Sequence, residues 1–274
     1  MTDITTKRPV SRRLRARSRL GKYRIESCLD EGAFSNVYSA QDTIEGRRAA
    51  LKIPHPHLAD EEFLEGFRKE VRLAARIQHP RILEIKDASF IDGMFVMAYP
   101  LGTENLSSRL ARRVSANHLA IFMDQVLEAV SEVHRRRIIH CDIKPENFIL
   151  FPGTELKLAD LGIARFAFRT LRGSGSGTLG HMAPEQAFGR PSARSDVFAV
   201  GLLLYRMLSG KYPEYPFDWP PPAYDRFRAK ARPELVEIIR KCLQVSPKKR
   251  FRDGMALYRC YKTIRDKPFR SRSR

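Results

Sequence analysis

The stretch that decides the fold lies at the middle of the 274-residue chain and reads Ile138-Ile139-His140-Cys141-Asp142-Ile143-Lys144-Pro145-Glu146-Asn147. It places a carboxylate, an amine and an amide within six residues, at Asp142, Lys144 and Asn147. Taken alone, this composition is also typical of a polar loop on a protein surface. The segments before and after it decide between an ordinary loop and a catalytic one.

Further segments with chemical side chains stand around this loop in a definite order. They are Ala50-Leu51-Lys52-Ile53 before it, and Leu158-Ala159-Asp160-Leu161-Gly162 and Ala183-Pro184-Glu185-Gln186 after it. Transfer of a phosphoryl group from ATP needs a cover and a cation for the phosphates, ligands for Mg²⁺, and a carboxylate for the incoming hydroxyl. The chain offers a candidate for each of these requirements, in sequence order.

These segments, together with Ser195-Asp196-Val197-Phe198-Ala199-Val200-Gly201, resemble the motifs of the eukaryotic-type (Hanks-type) Ser/Thr protein kinase family, in its bacterial-like branch. The resemblance implies an α+β, two-lobed protein-kinase fold, with a small β-rich N-lobe containing one helix and a larger helical C-lobe. The implied limits are 1–20 for a disordered basic tail, 21–265 for the kinase domain and 266–274 for a second basic tail. Within the domain they are about 21–97 for the N-lobe, 98–102 for the hinge and 103–265 for the C-lobe.

The resemblance also implies roles for the charged residues of the loop. Asp142 would be the catalytic base that accepts the proton of the substrate hydroxyl, and Lys144 would lie on the γ-phosphate. Asn147 and Asp160 would bind the metal. The implied cofactors are therefore ATP and Mg²⁺.

The nucleotide-binding residues of the N-lobe depart from the family pattern. Only Gly32 remains of the three glycines of the phosphate-covering loop, because Asp30 and Ser35 replace the others. Backbone without a side chain approaches phosphates most closely, so weakened ATP binding is expected. Lys52 would contact the phosphates and pair with Glu70. The implied nucleotide-binding residues are Leu29, Asp30, Glu31, Gly32, Ala33, Phe34, Ser35, Asn36, Val37, Ala50, Lys52, Glu70, Met97, Ala98, Pro100 and Ile149.

Two other departures concern the hinge and the catalytic loop. Met97 would be the gatekeeper, and Pro100 would stand where a backbone N–H usually meets adenine. Proline has no N–H, so one adenine hydrogen bond would be missing while the Ala98 carbonyl still accepts another. Cys141 replaces an arginine that in the family pairs with a phosphorylated activation loop. Its absence implies activity without loop phosphorylation.

The substrate class follows from the same resemblance. The segment 183–185 would dock a peptide, with Arg250 as the partner of Glu185, and this favours protein substrates over small-molecule acceptors. Lys144 and Thr178 favour serine or threonine over tyrosine. Glu146 would suit a basic substrate, whereas three arginines of the activation segment, Arg165, Arg169 and Arg172, would suit an acidic one. The charge preference for the substrate therefore stays open.

A second interpretation is a pseudokinase, a scaffold that keeps the fold and binds ATP weakly. The loss of two loop glycines motivates it, whereas the presence of all six ionic and amide residues of the site argues against it. These are Lys52, Glu70, Asp142, Lys144, Asn147 and Asp160. A nucleic-acid-associated role of the basic tails is compatible with either interpretation.

The charge of the chain is concentrated at its ends. Of the formal net charge of +19, residues 1–20 carry +6 and residues 262–274 carry +5. Solvated tails are one interpretation, and contact with nucleic acid, anionic lipid or an acidic partner is another. The four cysteines form no CxxC pair, which favours a reducing cytoplasm. Neither a signal peptide nor an integral membrane segment is expected, and the oligomeric state is not indicated.

Periodicity predicts the elements that carry these motifs. Strands are predicted over 23–29, 36–40, 49–53, 82–90, 94–97, 148–150 and 156–158. Helices are predicted over 61–78, 119–133, 196–208, 234–243 and 255–264.

Overall fold

The structure, a computed structural model, describes residues 14–32, 34–55, 65, 68–69, 71–72, 74–161 and 182–269. The chain divides into two compact units. The first comprises Met1–Gln78 and Leu83–Leu101, and the second comprises His79–Ile82 and Gly102–Arg274. Within the described ranges, no helix combines the length and the apolar character needed to cross a membrane.

The first unit contains a six-stranded antiparallel sheet. Its strands are β1 (Arg19–Leu20), β2 (Tyr23–Glu31), β3 (Ser35–Asp42), β4 (Arg47–Pro54), β5 (Asp87–Ile91) and β6 (Met94–Pro100). They are arranged in the order β1-β2-β3-β4-β6-β5. Alternate apolar residues form the core on one face, among them Tyr23 and Ile25 of β2 and Leu51 and Ile53 of β4. Burial of alternate residues is the reason these segments become strands.

The end of the predicted N-terminal tail belongs to this sheet. Arg17 N donates to Ile25 O at 2.8 Å, and Ile25 N donates to Ser18 O at 2.9 Å. Leu20 pairs with Tyr23 and is buried in the core. The expectation of a disordered tail over 1–20 is therefore wrong for residues 14–20. Leu14 and Leu20 make apolar contacts with the core, which the high arginine content of this segment did not indicate. Residues 1–13 lie outside the described residues.

One predicted strand and one predicted helix need comment. The strand predicted over 82–90 begins only at Asp87, because Ile82 instead forms an isolated parallel bridge with Leu158. Of the helix predicted over 61–78, the described residues between Glu65 and Ala74 have helical backbone. Glu70 lies outside the described residues.

The second unit is mainly helical. Its helices are α1 (Leu106–Leu110), α2 (Ala116–Arg135), α3 (Pro184–Ala187), α4 (Ala193–Ser209), α5 (Tyr224–Lys230), α6 (Pro233–Cys242) and α7 (Gly254–Lys262). Three short strands, β7 (Glu104–Asn105), β8 (Phe148–Phe151) and β9 (Glu155–Leu158), pair antiparallel in that order. The predicted elements of this unit are thus confirmed, with ends that differ by a few residues.

Capping fixes where α4 begins. The Ser192 hydroxyl accepts from Arg194 N at 3.2 Å, and Ser192 N donates to the Ser195 hydroxyl at 3.0 Å. These bonds satisfy groups that a helix start leaves without intrahelical partners. Asp196 lies in this first turn, so the cap also fixes the position of a residue of the site.

Close helix packing brings the C-terminal part of the unit against its centre. A Cβ at Gly254, the first residue of α7, would lie 2.9 Å from the carbonyl oxygen of Val130 in α2. The predicted C-terminal tail also contacts this unit, since Arg232 N donates to Pro268 O at 3.2 Å and Ala231 bridges to Phe269. Residues 266–269 are therefore part of the folded unit.

Candidate active site

The backbone of the loop 138–147 is held by one buried carboxylate. Asp196 of α4 is 1 % exposed and accepts hydrogen bonds from His140 N at 2.7 Å and from Cys141 N at 2.8 Å. A carboxylate that accepts two backbone N–H groups compensates for its own burial. Asp196 therefore holds the backbone that leads into Asp142.

His134 joins the same carboxylate, and its role escaped the sequence analysis. Its Nδ1 accepts from Gly254 N at 2.6 Å, so the ring proton sits on Nε2, which donates to Asp196 Oδ2 at 2.9 Å. His134 is buried at the C-terminal end of α2. The signal that could have found it is a polar residue on the apolar face of a helix, since buried polar groups need partners.

Asp142, Lys144 and Asn147 come together as the sequence predicted. Asp142 Oδ2 lies 2.8 Å from Lys144 Nζ and accepts from Asn147 Nδ2 at 2.9 Å. The same Nδ2 donates to the Asp142 carbonyl at 2.7 Å. The carboxylate is thereby oriented from two sides, which is what a positioned general base requires.

Charge keeps Lys144 protonated. Burial disfavours the ammonium, but the carboxylates of Asp142, Asp160 and Glu146 outweigh burial and raise the pKa of Lys144 above its usual value. Because the usual value already lies far above neutral, Lys144 remains a cation throughout the pH range of enzyme assays.

The predicted metal-binding residues have the right chemistry for Mg²⁺. The two bonds donated by Asn147 Nδ2 leave its amide oxygen as the ligand atom, and Asp160 adds a carboxylate. Ala159 N donates to Asn147 O at 2.8 Å and thus links the two positions through the backbone. Among the described residues, no group of three or more His, Cys, Asp or Glu forms a metal site by itself. Two hard oxygen ligands completed by phosphates suit Mg²⁺.

Glu185 and Arg250 form the predicted ion pair. Arg250 Nη1 and Nη2 donate to the two carboxylate oxygens at 2.7 and 3.0 Å, and the Ser195 hydroxyl donates to Glu185 at 2.8 Å. The Arg250 side chain is fully buried. Since buried charges need such pairing, the contact fixes α3 on the second unit.

Cys141 has an unusual backbone and an enclosed side chain. Its φ is +66°, in the left-handed region that side chains rarely adopt, and it is 5 % exposed. Its N–H is bound by Asp196, and its carbonyl accepts from Gln186 Nε2 at 2.6 Å. Cys141 is therefore a small buried thiol.

The first unit holds Lys52 and the hinge residues on adjacent strands. Lys52 of β4 is 5 % exposed and lies opposite Met97 of β6, which is fully buried. Ala98 follows Met97, and its carbonyl accepts from Lys86 N at 2.8 Å. One acceptor position of the Ala98 carbonyl is therefore used within the sheet, which the sequence did not indicate. Pro100, at the end of β6, pairs with Ala49.

The described part of the predicted phosphate-covering loop is hydrogen-bonded to the end of β4. Gly32 N donates to Ser35 O at 3.0 Å, and the ring of His55 donates through Nε2 to the Gly32 carbonyl at 2.8 Å. The backbone N of His55 donates to Phe34 O at 2.9 Å. His55 thus holds this turn twice, a role that the sequence analysis missed.

The other predicted nucleotide-binding residues take their places on strands. Those on β2 and β3 flank the loop, Ala50 lies on β4 and Ile149 lies on β8 of the second unit. The flanking residues are Leu29, Asp30 and Glu31 on β2, and Asn36 and Val37 on β3. Several predicted residues lie outside the described residues, namely Ala33, Glu70, Gly162, Arg165, Arg169, Arg172 and Thr178.

Comparison with known proteins shows the family. The family model "Protein kinase domain" matches residues 23–261, so the chain belongs to the protein kinase domain family. The serine/threonine-protein kinase PknA of Mycobacterium tuberculosis is 33% identical over 258 residues, which cover 85% of this chain and 59% of PknA. PrkC of Bacillus subtilis, also a serine/threonine-protein kinase, is 32% identical over 206 residues, which cover 70% of this chain and 31% of PrkC. The chain thus spans less than two thirds of the length of either relative.

Solved structures show the fold. The kinase domain of Mycobacterium tuberculosis PknI matches with a TM-score of 0.70 at 25% identity, over 92% of this chain and 99% of that domain. The structure titled PpkA-294 apo form matches with a TM-score of 0.76 at 22% identity, over 90% of this chain and 99% of its own, and supports the fold alone. The predicted α+β protein-kinase fold, with a β-rich lobe and a helical lobe, is confirmed, as is the bacterial-like branch of the family.

Proposed function

We propose that this chain is a serine/threonine protein kinase that transfers the γ-phosphoryl group of ATP to a protein hydroxyl and also phosphorylates itself. The observation that carries the proposal is the Asp142 carboxylate, held by Lys144 at 2.8 Å and by Asn147 at 2.9 Å. The loop beneath it is fixed by Asp196. The family relationship supports the same reaction, because the relatives named above are serine/threonine-protein kinases.

In this mechanism the chain supplies orientation and charge. Asp142 orients the substrate hydroxyl and accepts its proton, while the Lys144 ammonium stabilises negative charge that develops on the phosphoryl oxygens. Asn147 and Asp160 would hold Mg²⁺, which would neutralise phosphate charge when bound together with ATP. Lys52 provides the second cation, from the buried face of β4.

The nucleotide contacts of the first unit are part of the proposal. The loop around Gly32 covers the phosphates, and Met97, Ala98 and Pro100 line the adenine. Two glycines of the family loop are replaced, so we expect weaker nucleotide binding than in relatives that keep all three. The scaffold interpretation rests on the two replaced glycines alone, and the site geometry argues against it, since Asp196 holds the loop that carries the base and Lys144 and Asn147 orient the base.

A phosphate-transfer assay with matched variants tests the proposal. Asp142→Asn removes the base and Lys52→Met removes the buried cation, and we expect each to lower the rate about 10²–10⁴-fold. The control is Asp225→Asn, an exposed carboxylate in the first turn of α5, which should leave the rate unchanged. The measurement is transfer from labelled ATP with Mg²⁺ to a histone mixture. Equal background in wild type and both site variants would establish the scaffold instead.

We also propose that the protein acts in the cytoplasm. Support comes from its cysteines, because Cys28, Cys141, Cys242 and Cys260 form no disulfide among the described residues and two of them are buried. Free thiols persist where the surroundings are reducing. Subcellular fractionation of cells that express the tagged protein tests this, and recovery in a secreted fraction with oxidised cysteines would contradict it.

A further inference from the structure

Gln186 makes a hydrogen bond that the proposed mechanism has not yet used. It lies in α3, directly after Pro184 and Glu185 of the predicted peptide-docking segment, and only 3 % of it is exposed. Its Nε2 donates to the Cys141 carbonyl at 2.6 Å. This carbonyl belongs to the peptide bond that leads into Asp142, so Gln186 contacts the backbone immediately before the base.

Side chains from three places fix the backbone around the base. Asp196 of α4 accepts from Cys141 N, Gln186 of α3 donates to Cys141 O, and the ring of His140 accepts from Asp142 N at 3.2 Å. The left-handed φ of Cys141 makes this support necessary, because such a backbone persists only where its surroundings hold it. If the bond from Gln186 is removed, one end of the Cys141–Asp142 peptide is no longer held.

We propose that Gln186 is a positioning residue that couples the peptide-docking helix α3 to the catalytic base, an inference that rests on the proposed kinase function. The helix α3 is itself held in place, because the buried Arg250 donates to Glu185 of α3 at 2.7 Å. In the family, the arginine that Cys141 replaces links the base to a phosphorylated loop. Gln186 bonds to the backbone carbonyl of Cys141. The proposed coupling between α3 and the base therefore needs neither an arginine side chain at position 141 nor a phosphate.

The alternative is that Gln186 only satisfies a buried carbonyl and stabilises the fold. Gln125 provides the control for this possibility, because it is also buried and its Nε2 donates to a backbone carbonyl, that of Thr154, at 3.0 Å. Thr154 lies in the turn between β8 and β9. Gln125→Met therefore removes this hydrogen bond, together with those that Gln125 Oε1 accepts from Leu156 N and Arg81, without touching the loop that carries Asp142.

Steady-state kinetics separate the two possibilities. Methionine matches glutamine in length but donates no hydrogen bond. We expect Gln186→Met to lower kcat about tenfold to a hundredfold, as misplacement of a catalytic group does. The KM for ATP should stay within about twofold, because nucleotide binding does not use this bond. Gln125→Met should lower the urea midpoint of unfolding and leave kcat unchanged. The assay uses ATP, Mg²⁺ and a histone mixture at saturating concentration.

A measurement without nucleotide distinguishes failure of this inference from failure of the proposed function. Backbone amide exchange of Asp142, measured by NMR in the free protein, reports whether the loop is held. We expect the Asp142 amide to exchange about tenfold faster in Gln186→Met than in Gln125→Met, if the local opening free energy falls by one hydrogen bond. Equal exchange and equal kcat in the two variants would overturn the positioning role. An inactive wild type whose Asp142 amide still depends on Gln186 would refute the kinase function while keeping the link between the two residues.

Discussion

Arg250 shows what a single buried cation can organise. Besides its bidentate pair with Glu185, its guanidinium donates to the carbonyls of Arg194, Gln244 and Val245 at 2.6 to 2.9 Å. All of its side chain is buried. The planar fork of arginine suits several acceptors at fixed positions, whereas an ammonium on a flexible chain does not.

Replacement of this cation should therefore be costly even when the charge is kept. We expect Arg250→Lys to lower the free energy of unfolding by about 3 kcal/mol, because several buried acceptors lose their donors at once. The measurement is urea unfolding monitored by circular dichroism. Arg240→Lys is the matched control, since Arg240 pairs with Glu237 at 3.6 Å on the surface and should change stability by about 0.5 kcal/mol or less. Similar losses in the two variants would show that the geometry of the buried fork is unimportant.

Pro100 supports a prediction about nucleotide affinity. It has no backbone N–H, so we expect Pro100→Ala to restore a donor and tighten ATP binding about three- to twelvefold, the equivalent of one neutral hydrogen bond. The rate at saturating ATP should stay unchanged. Titration with ATP by calorimetry measures the affinity, and Pro152→Ala in an exposed turn serves as the control. Unchanged or weaker binding would show that residue 100 does not face the adenine.

The helices α2 and α7 pack around the carboxyl group of Asp124, one oxygen of which lacks a hydrogen-bond partner within the described part of the chain. Asp124 of α2 faces Tyr258 and Tyr261 of α7, with Arg265 just beyond the helix end. Its Oδ1 is buried and is among the described side-chain atoms without a hydrogen-bond partner. Burial raises the pKa of Asp124 above its ordinary value, although Arg265 acts in the opposite direction. The ionised carboxylate therefore weakens the packing of α2 against α7.

This gives a stability prediction with a definite pH dependence. Asp124→Asn should raise the free energy of unfolding at pH 7 by up to about 1 kcal/mol, because the amide carries no charge to desolvate. A carboxyl group whose pKa is raised in the folded state binds its proton more readily there. The difference in free energy of unfolding between the variant and the wild type should therefore shrink as the pH falls. Urea unfolding at pH 7 and pH 5 measures the difference, with Asp225→Asn as the exposed control. A benefit that grows toward low pH would contradict the argument.

At the level of elements, the sequence correctly predicted those features that depend only on residues within one segment. The loop 138–147 was recognisable because the chemistry of its base requires particular side chains at particular spacings. The strand predicted over 82–90 was too long, because Ile82 pairs with Leu158 instead and the pairing with β6 begins only at Asp87. Such pairing depends on distant partners, which periodicity within one segment does not contain.

The same reason explains which site residues were missed. His134 and His55 act through hydrogen bonds to Gly254 and Gly32, residues 120 and 23 positions away along the chain. The neighbouring sequence shows neither partner: His134 stands out only as a polar residue on the apolar face of a helix, and His55 does not differ from a histidine on a surface. Asp196 was found only because the family motif around it is specific.

For the molecule as a whole, the basic N-terminal segment has two parts: residues 14–20 belong to the folded first unit, and residues 1–13 lie outside the described residues. Residues 1–13 and residues 14–20 each carry a net charge of +3. The second group belongs to the sheet of the first unit, where Leu20 is buried and Leu14 packs against the core. Charge and packing can therefore be tested separately by two truncations.

We expect deletion of residues 1–13 to weaken binding to a 20-base-pair DNA duplex and to flatten its salt dependence, because four cations and one anion are lost. Deletion of residues 1–20 should in addition lower the free energy of unfolding by about 2–4 kcal/mol, since it removes β1 and the apolar contacts of Leu14 and Leu20. Fluorescence anisotropy at several salt concentrations measures the binding, and urea unfolding measures the stability. Vesicles containing anionic lipid serve as a second probe. Affinity that is indifferent to salt and to both deletions would exclude an electrostatic contact by this end of the chain.

The bond from Gly254 N to His134 has a consequence for the order in which the enzyme matures during synthesis. A chain still on the ribosome that has passed Asp196 and Arg250 already contains every predicted catalytic and metal-binding residue. It lacks the N–H that fixes the His134 ring, and it lacks α7, which packs against α2. Without them the donor to Asp196 loses its orientation, so one of the groups that position the carboxylate under the loop is not yet in place. We therefore expect the proposed phosphate transfer to require α7, so a nascent chain that ends before Gly254 should not yet phosphorylate itself.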